Sequence, residues 1–219
     1  MARLTPSALA LALALPLGLV VTAGCGNDRI ESGSLFEAPS AQAAQALRYP
    51  DAGLTVSVPK EFSVKAAAAP QLFRASLNEA FLSSFAYRRE EQLPKTRAEL
   101  RTARRRLVDA AKKRDKTWRL RSTRLTKVAG APAIEVVGDQ TIFMGRLRIR
   151  SLHVYKGNGE YVVELAAPRT AFRELERASF PGIRRSLKVT GRVKKPKAPA
   201  KKTRSKKDPS KESSRDKSG

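Results

Sequence analysis

The sequence predicts an α+β fold, an antiparallel sheet flanked by helices. Three observations carry this reading. Short alternating runs group together without the strict strand–helix–strand order of a parallel sheet. One long segment between two such groups has a capped helical pattern. Gly157-Asn158-Gly159 sits between two apolar alternating runs, which is a hairpin signal.

Leu54-Thr55-Val56-Ser57-Val58 alternates apolar and polar and ends at Pro59, as a strand does. Phe81 to Tyr87 is a second strand, rich in aromatics. Thr96 opens a helix, with Glu99 three residues on completing a capping box. Leu100, Ala103, Leu107, Ala110 and Ala111 share one face of it. From Trp118 to Val128 the pattern is a strand in which Trp118, Leu120 and Leu125 stand among Arg119, Arg121 and Arg124. Gly130-Ala131-Pro132 is a turn. Ala133 to Phe143 is the next strand, broken near Gly145. Leu147 to Tyr155 is another, and its apolar residues change phase between Ile149 and Leu152, which predicts a bulge. Tyr161 to Ala167 completes a four-strand meander. Thr170 to Arg177 makes a short helix, and Phe180, Ile183 and Leu187 predict a closing helical turn.

The chain has 219 residues, with 44 Lys and Arg against 20 Asp and Glu, a formal charge of +24. Such a surplus attracts anionic lipid headgroups, wall polymers carrying phosphate, or nucleic acid. Gly191 to Gly219 holds twelve basic and three acidic residues, so most of the excess belongs to the body of the protein. That last segment has almost no large apolar residue and is expected to be a disordered, Lys-rich tail. Residues 25–46, small and polar, are expected to form a flexible tether, with the folded domain over 47–190.

The strongly apolar run follows Met1-Ala2-Arg3 and ends at Val21-Thr22-Ala23-Gly24-Cys25. A charged start, a short apolar middle and small residues at the exit make a secretory signal over 1–24. An uncleaved anchor helix or an ordinary secreted chain would also carry such a run. Small residues directly before Cys25 resemble the lipobox of bacterial lipoproteins. That resemblance implies that Cys25 is lipidated, that the signal is cut before it, and that acyl chains hold the protein on the extracytoplasmic face of the membrane. Cys25 is the chain's one cysteine, so an intramolecular disulfide is impossible.

Three further segments carry a second resemblance. Tyr49 to Pro59 reads as an opening with Phe62 where an aromatic follows the proline. Val128-Ala129-Gly130-Ala131-Pro132-Ala133 precedes a long hairpin. Gly159 to Pro168 is followed by Phe172, Phe180, Ile183 and Ser186-Leu187. In order and spacing these resemble the PsbP-like family, which includes photosystem II extrinsic proteins and bacterial lipoproteins of the mycobacterial LpqN type. The resemblance implies an α/β/α sandwich and a binding or assembly role without an enzymatic reaction or cofactor.

The residues support that role. His153 is the one histidine, so a Ser/His/Asp hydrolase would have to use it as base, and its place between Leu152 and Val154 in a strand favours a structural use. No metal-ligand cluster is legible. Asp109 and Asp115 read as partners of nearby cations. Arg88-Arg89-Glu90-Glu91 reads as a solvated strand end. The candidate polyanion-binding residues are Arg101, Arg104, Arg105, Arg106, Lys112 and Lys113 on the helix, and Lys194, Lys195, Lys201, Lys202, Lys206 and Lys207 in the tail. Arg119, Arg121, Arg124, Arg146, Arg148 and Arg150 could add to the helix surface from the strands, the last three sharing one sheet face. Expected partners are the membrane through the lipid anchor, anionic lipid or wall polymer, and an envelope protein. An extracellular nucleic-acid binder is the alternative, disfavoured by weak aromatic interleaving.

Overall fold

The computed structural model describes residues 44–143 and 145–195. Five strands come first: β1 (Ala44–Tyr49), β2 (Leu54–Pro59), β3 (Ser63–Ala66), β4 (Gln71–Leu77) and β5 (Ala80–Arg88). Helix α1 (Arg97–Arg114) follows. The meander is β6 (Arg119–Val128), β7 (Ala131–Ile142), β8 (Gly145–Lys156) and β9 (Gly159–Pro168). Helix α2 (Arg169–Ser186) and β10 (Lys188–Val189) close the described chain. A seven-stranded antiparallel sheet runs β3-β4-β5-β9-β8-β7-β6, and a three-stranded sheet runs β1-β2-β10.

The two faces of the large sheet are covered differently. On one face Leu54, Val56 and Val58 of β2 and Phe172, Leu175, Phe180 and Ile183 of α2 pack with Phe73, Leu82, Leu152, Val154 and Leu165 into the main core. On the other face α1 lies over β6 and β7. There Leu93, Leu100, Trp118, Ile134, Val136 and Tyr155 form a smaller cluster. The α/β/α layering therefore holds, with the three-stranded sheet added beside α2.

Thr96 caps α1 as its sequence predicts. Its hydroxyl accepts from the Glu99 N–H at 3.2 Å, and the Glu99 carboxylate accepts from the Thr96 N–H at 2.9 Å. Ala110, expected on the buried face, is exposed; Val108 packs there instead. The turn expected at Gly130-Ala131-Pro132 falls one residue earlier. Ala129 (φ 50°) and Gly130 (φ 72°) form it, and Ala131 and Pro132 already pair in β7. β8 has no bulge: its register is continuous against both neighbours. Its apolar residues change phase because both faces of the sheet are covered, so Tyr155 serves the α1 side and Leu152 and Val154 the α2 side. Within the meander the irregularity lies in β6, between Leu120 and Ser122, and a second falls in β4, between Gln71 and Phe73.

The short helix and separate turn expected over 170–187 are one helix of 18 residues. Pro181 removes one backbone donor, but the buried stripe Phe172, Leu175, Ser179, Phe180 and Ile183 runs through it and holds it in place. The ends of the domain also differ. Ala44, Gln45 and Ala46, read as tether, pair with Pro59, Val58 and Ser57 in β1. At the other end Val193 is buried, and the Asn158 N–H donates to the Gly191 carbonyl at 3.0 Å. Gly157 allows that approach, since a Cβ there would stand 2.0 Å from the Gly191 oxygen. Of the expected tether, 25–43 lies outside the described residues, as do the signal segment and 196–219.

Candidate functional site

On the α2 side of the sheet, β7 presents two acids, Glu135 and Asp139, two pairs apart on one face. Each is buried (3% and 6% exposed), and each is held by three arginines, one from β6, one from β8 and one from α2. Glu135 accepts from Arg124 Nη2 at 3.0 Å to both oxygens, from Arg150 Nη1 at 3.3 Å and from Arg184 Nη1 at 3.1 Å. Asp139 accepts from Arg121 Nε at 2.6 Å and from Arg148 Nε at 2.7 Å, and lies 3.5 Å from Arg169 Nε. Arg150 also reaches Glu176 on α2 at 2.5 Å. The strand period of two and the helical spacing of Arg169 and Arg184 bring these partners to one face.

Arg124, Arg150 and Arg184, the three arginines bound to Glu135, line an open cleft of about 650 Å³ between α2 and the sheet. Its walls carry Lys127, Arg173, Arg177 and Arg185, none of which has a carboxylate partner among the described residues. The cleft thus has an arginine floor ordered by Glu135 and Glu176, and a cationic rim that meets no carboxylate among the described residues. Guanidinium groups held in this way suit planar, two-point recognition of phosphate or carboxylate.

A second buried carboxylate, Glu160, lies on the α1 side of β9. His153 Nδ1 is 2.8 Å from its Oε1, and Arg89 Nε donates to Oε2 at 2.8 Å. Burial alone would raise its pKa, yet the hydrogen bonds and charges of His153 and Arg89 hold it below the usual carboxylate range. Asp139 is also held low, chiefly by its hydrogen bond from Arg148. Below the usual carboxylate values of about 4 the unfolded chain therefore takes up protons at these groups before the folded one does, so stability is lost as pH falls. The thermal midpoint should be level between pH 7 and about 5 and should fall steeply below about 4. Equal midpoints at pH 6 and 3 would contradict this; Glu160→Gln should flatten the acid slope.

The positions of the expected site residues differ in kind. Arg101, Arg105, Arg106, Lys112 and Lys113 are exposed on α1, as expected for a solvent-facing helix. Arg104 is half-buried, with Nη1 donating to Thr123 Oγ1 at 3.4 Å. Arg121, Arg124, Arg148 and Arg150, expected to extend the α1 surface, face the other side of the sheet and are bound to Glu135 and Asp139. Arg146, Arg148 and Arg150 do share one face, but it is the α2 face. Lys194 is tied to Asp51 through its Nζ at 2.7 Å and its N–H at 2.9 Å, and Lys195 is exposed. Lys201, Lys202, Lys206, Lys207 and Cys25 lie outside the described residues. His153 bonds a carboxylate, and no described hydroxyl bonds its ring. Among the described residues no group of three His, Cys, Asp or Glu could hold a metal ion, and no helix is long and apolar enough to cross a membrane. Sequence reading missed the cations of α2 and the two acids of β7. Arg169, Arg173 and Arg177 at spacings of four were the available signal.

No family model and no curated protein matches this chain by sequence. Solved structures do resemble it. The solution structure of cyanobacterial PsbP (CyanoP) from Synechocystis sp. PCC 6803 superposes with a TM-score of 0.53 at 11% identity, covering 72% of this chain and 96% of that one. LpqN of Mycobacterium tuberculosis, described as involved in cell envelope biogenesis, gives 0.48 at 10% identity over 67% of this chain and 90% of its own. The chain has the PsbP-like fold.

Proposed function

We propose that this chain is a lipid-anchored protein on the extracytoplasmic face of the membrane, a non-enzymatic binding module that holds an anionic partner in the α2 cleft. The Lys-rich end adds a second contact to anionic lipid or wall polymer. One observation carries this reading: four rim cations without a carboxylate partner surround arginines already ordered by Glu135. Here the acids are spent on the floor and the rim is left positive. The fold agrees with a binding role, and the apolar run ending at Cys25 supports the anchor. The exposed large apolar side chains among the described residues, Leu120 and Phe143, do not line the cleft, so bases of a nucleic acid would find no stacking platform there.

The test uses the full chain in its own membrane and a polyphosphate of defined length as probe. Arg173→Glu with Arg177→Glu should weaken binding by about tenfold or more and reduce its salt dependence. Removal of 196–219 should weaken it separately; the cut spares Val193 and Lys194, which belong to the fold. Unchanged affinity and salt slope in the double variant would refute the cleft. Cys25→Ala should release the protein or leave its precursor uncut, and persistent attachment with normal processing would refute the anchor.

A further inference from the structure

The connection between β7 and β8 begins with Phe143, whose side chain is fully exposed (107%). Ile142 pairs with Gly145, so this is a tight hairpin, a place that favours Asn, Gly or Asp. Nothing in the turn requires an aromatic ring. The base of the hairpin is held firmly. The Thr141 N–H donates to Thr117 Oγ1 at 3.0 Å, and Asp115 Oδ1 accepts from the Thr117 N–H at 2.7 Å, riveting the end of α1 to the hairpin.

At the base of this hairpin, beside Thr141, lie Lys116, Arg119, Arg146 and Arg169. Arg119 is fixed by donation from Nη1 to the Lys116 carbonyl at 2.7 Å and to the Trp118 carbonyl at 3.0 Å. The acids nearby are occupied: Asp139 is buried under Arg121, Arg148 and Arg169, and Asp115 is taken up by Thr117. Lys116, Arg119 and Arg146 have no carboxylate partner among the described residues. A single projecting ring in a cationic collar fits a soft anionic surface, where apolar groups enter the headgroup boundary and cations meet phosphates. It does not fit the concave pocket of a protein partner unless that pocket is both apolar and acid-rimmed.

We propose that the β7–β8 tip docks on an anionic bilayer, with Phe143 inserted at the headgroup–acyl boundary and Lys116, Arg119 and Arg146 on lipid phosphates. This goes beyond the cleft and does not depend on it. The nineteen steps of chain from Cys25 to Ala44 reach at most roughly 60–70 Å.

The experiment places an indole at the tip, Phe143→Trp, in the full chain held on phosphatidylglycerol vesicles with brominated acyl chains. The native Trp118 is 6% exposed and serves as background in the unsubstituted protein. The added emission should shift to the blue and be quenched, and should remain water-like and unquenched on phosphatidylcholine vesicles carrying the same brominated chains. Lys116→Glu with Arg146→Glu should abolish the quenching. A water-like signal on phosphatidylglycerol, or equal quenching on phosphatidylcholine, would overturn the proposal. Because the readout is depth at position 143, retention through Cys25 or the cleft cannot imitate it, and its failure leaves the cleft reading intact.

Discussion

Trp118→Ala is expected to destabilise the domain by about 3–4 kcal/mol, the usual cost of emptying a large aromatic site in a core. The effect should concentrate on α1. That helix buries only Leu100 fully, with Ala103, Leu107, Val108 and Ala111 half-covered, so its hold on the sheet depends on the small cluster around Trp118. The indole lies directly over Gly138 of β7. A Cβ at Gly138 would stand 2.4 Å from the ring, so the glycine makes the floor on which the tryptophan rests. Urea unfolding should show the lower stability, and hydrogen exchange should show α1 amides losing protection before those of β8 and β9. A loss below about 1 kcal/mol, or α1 protection equal to that of the central strands, would contradict this account. Gly138→Ala, which displaces the same ring, should move α1 in the same direction.

Glu135→Ala should cost about 2–3 kcal/mol, less than the ~3–5 of a fully buried ion pair, because the three arginine side chains remain 59%, 23% and 30% exposed. The carboxylate is the shared acceptor of Arg124, Arg150 and Arg184, and without it three cations face one another across β7. A binding effect of opposite sign should accompany the lost stability. An anion entering the cleft can take the carboxylate's place, so added polyphosphate should raise the thermal midpoint of Glu135→Ala more than that of the native chain. Glu135→Gln should fall between the two. If the variant loses less than about 1 kcal/mol and gains nothing from the anion, the carboxylate does not organise the floor.

Much of the architecture was legible because it rests on local chemistry. The Thr96–Glu99 box, the alternation of Leu54 to Val58 and the Gly157-Asn158 turn each state their element within a few residues. β1, β3 and β4 were not read. Ala44–Tyr49 has a single strong apolar residue, Leu47, and Ser63–Ala66 is a four-residue edge strand; both exist because a partner strand satisfies their backbone groups. The phase change in Leu147–Tyr155 was visible, but its cause was not. A one-sided sheet needs a bulge to explain it, and a sheet covered on both faces needs none.

The basic composition was plain from the residues, and so was the alternation of Arg146, Arg148 and Arg150. Which of those cations meet a carboxylate was not. Glu135 and Arg184 are far apart in the chain, and only the packing of α2 across β8 and β9 brings them to 3.1 Å. By itself, the sequence determined the α+β class, the capped α1 and the cationic surplus, since propensity, capping and charge act over a few residues. Only the tertiary structure decided where that charge is neutralised, where it stays unmatched and which aromatic stands in solvent, because those depend on which faces of one sheet are covered.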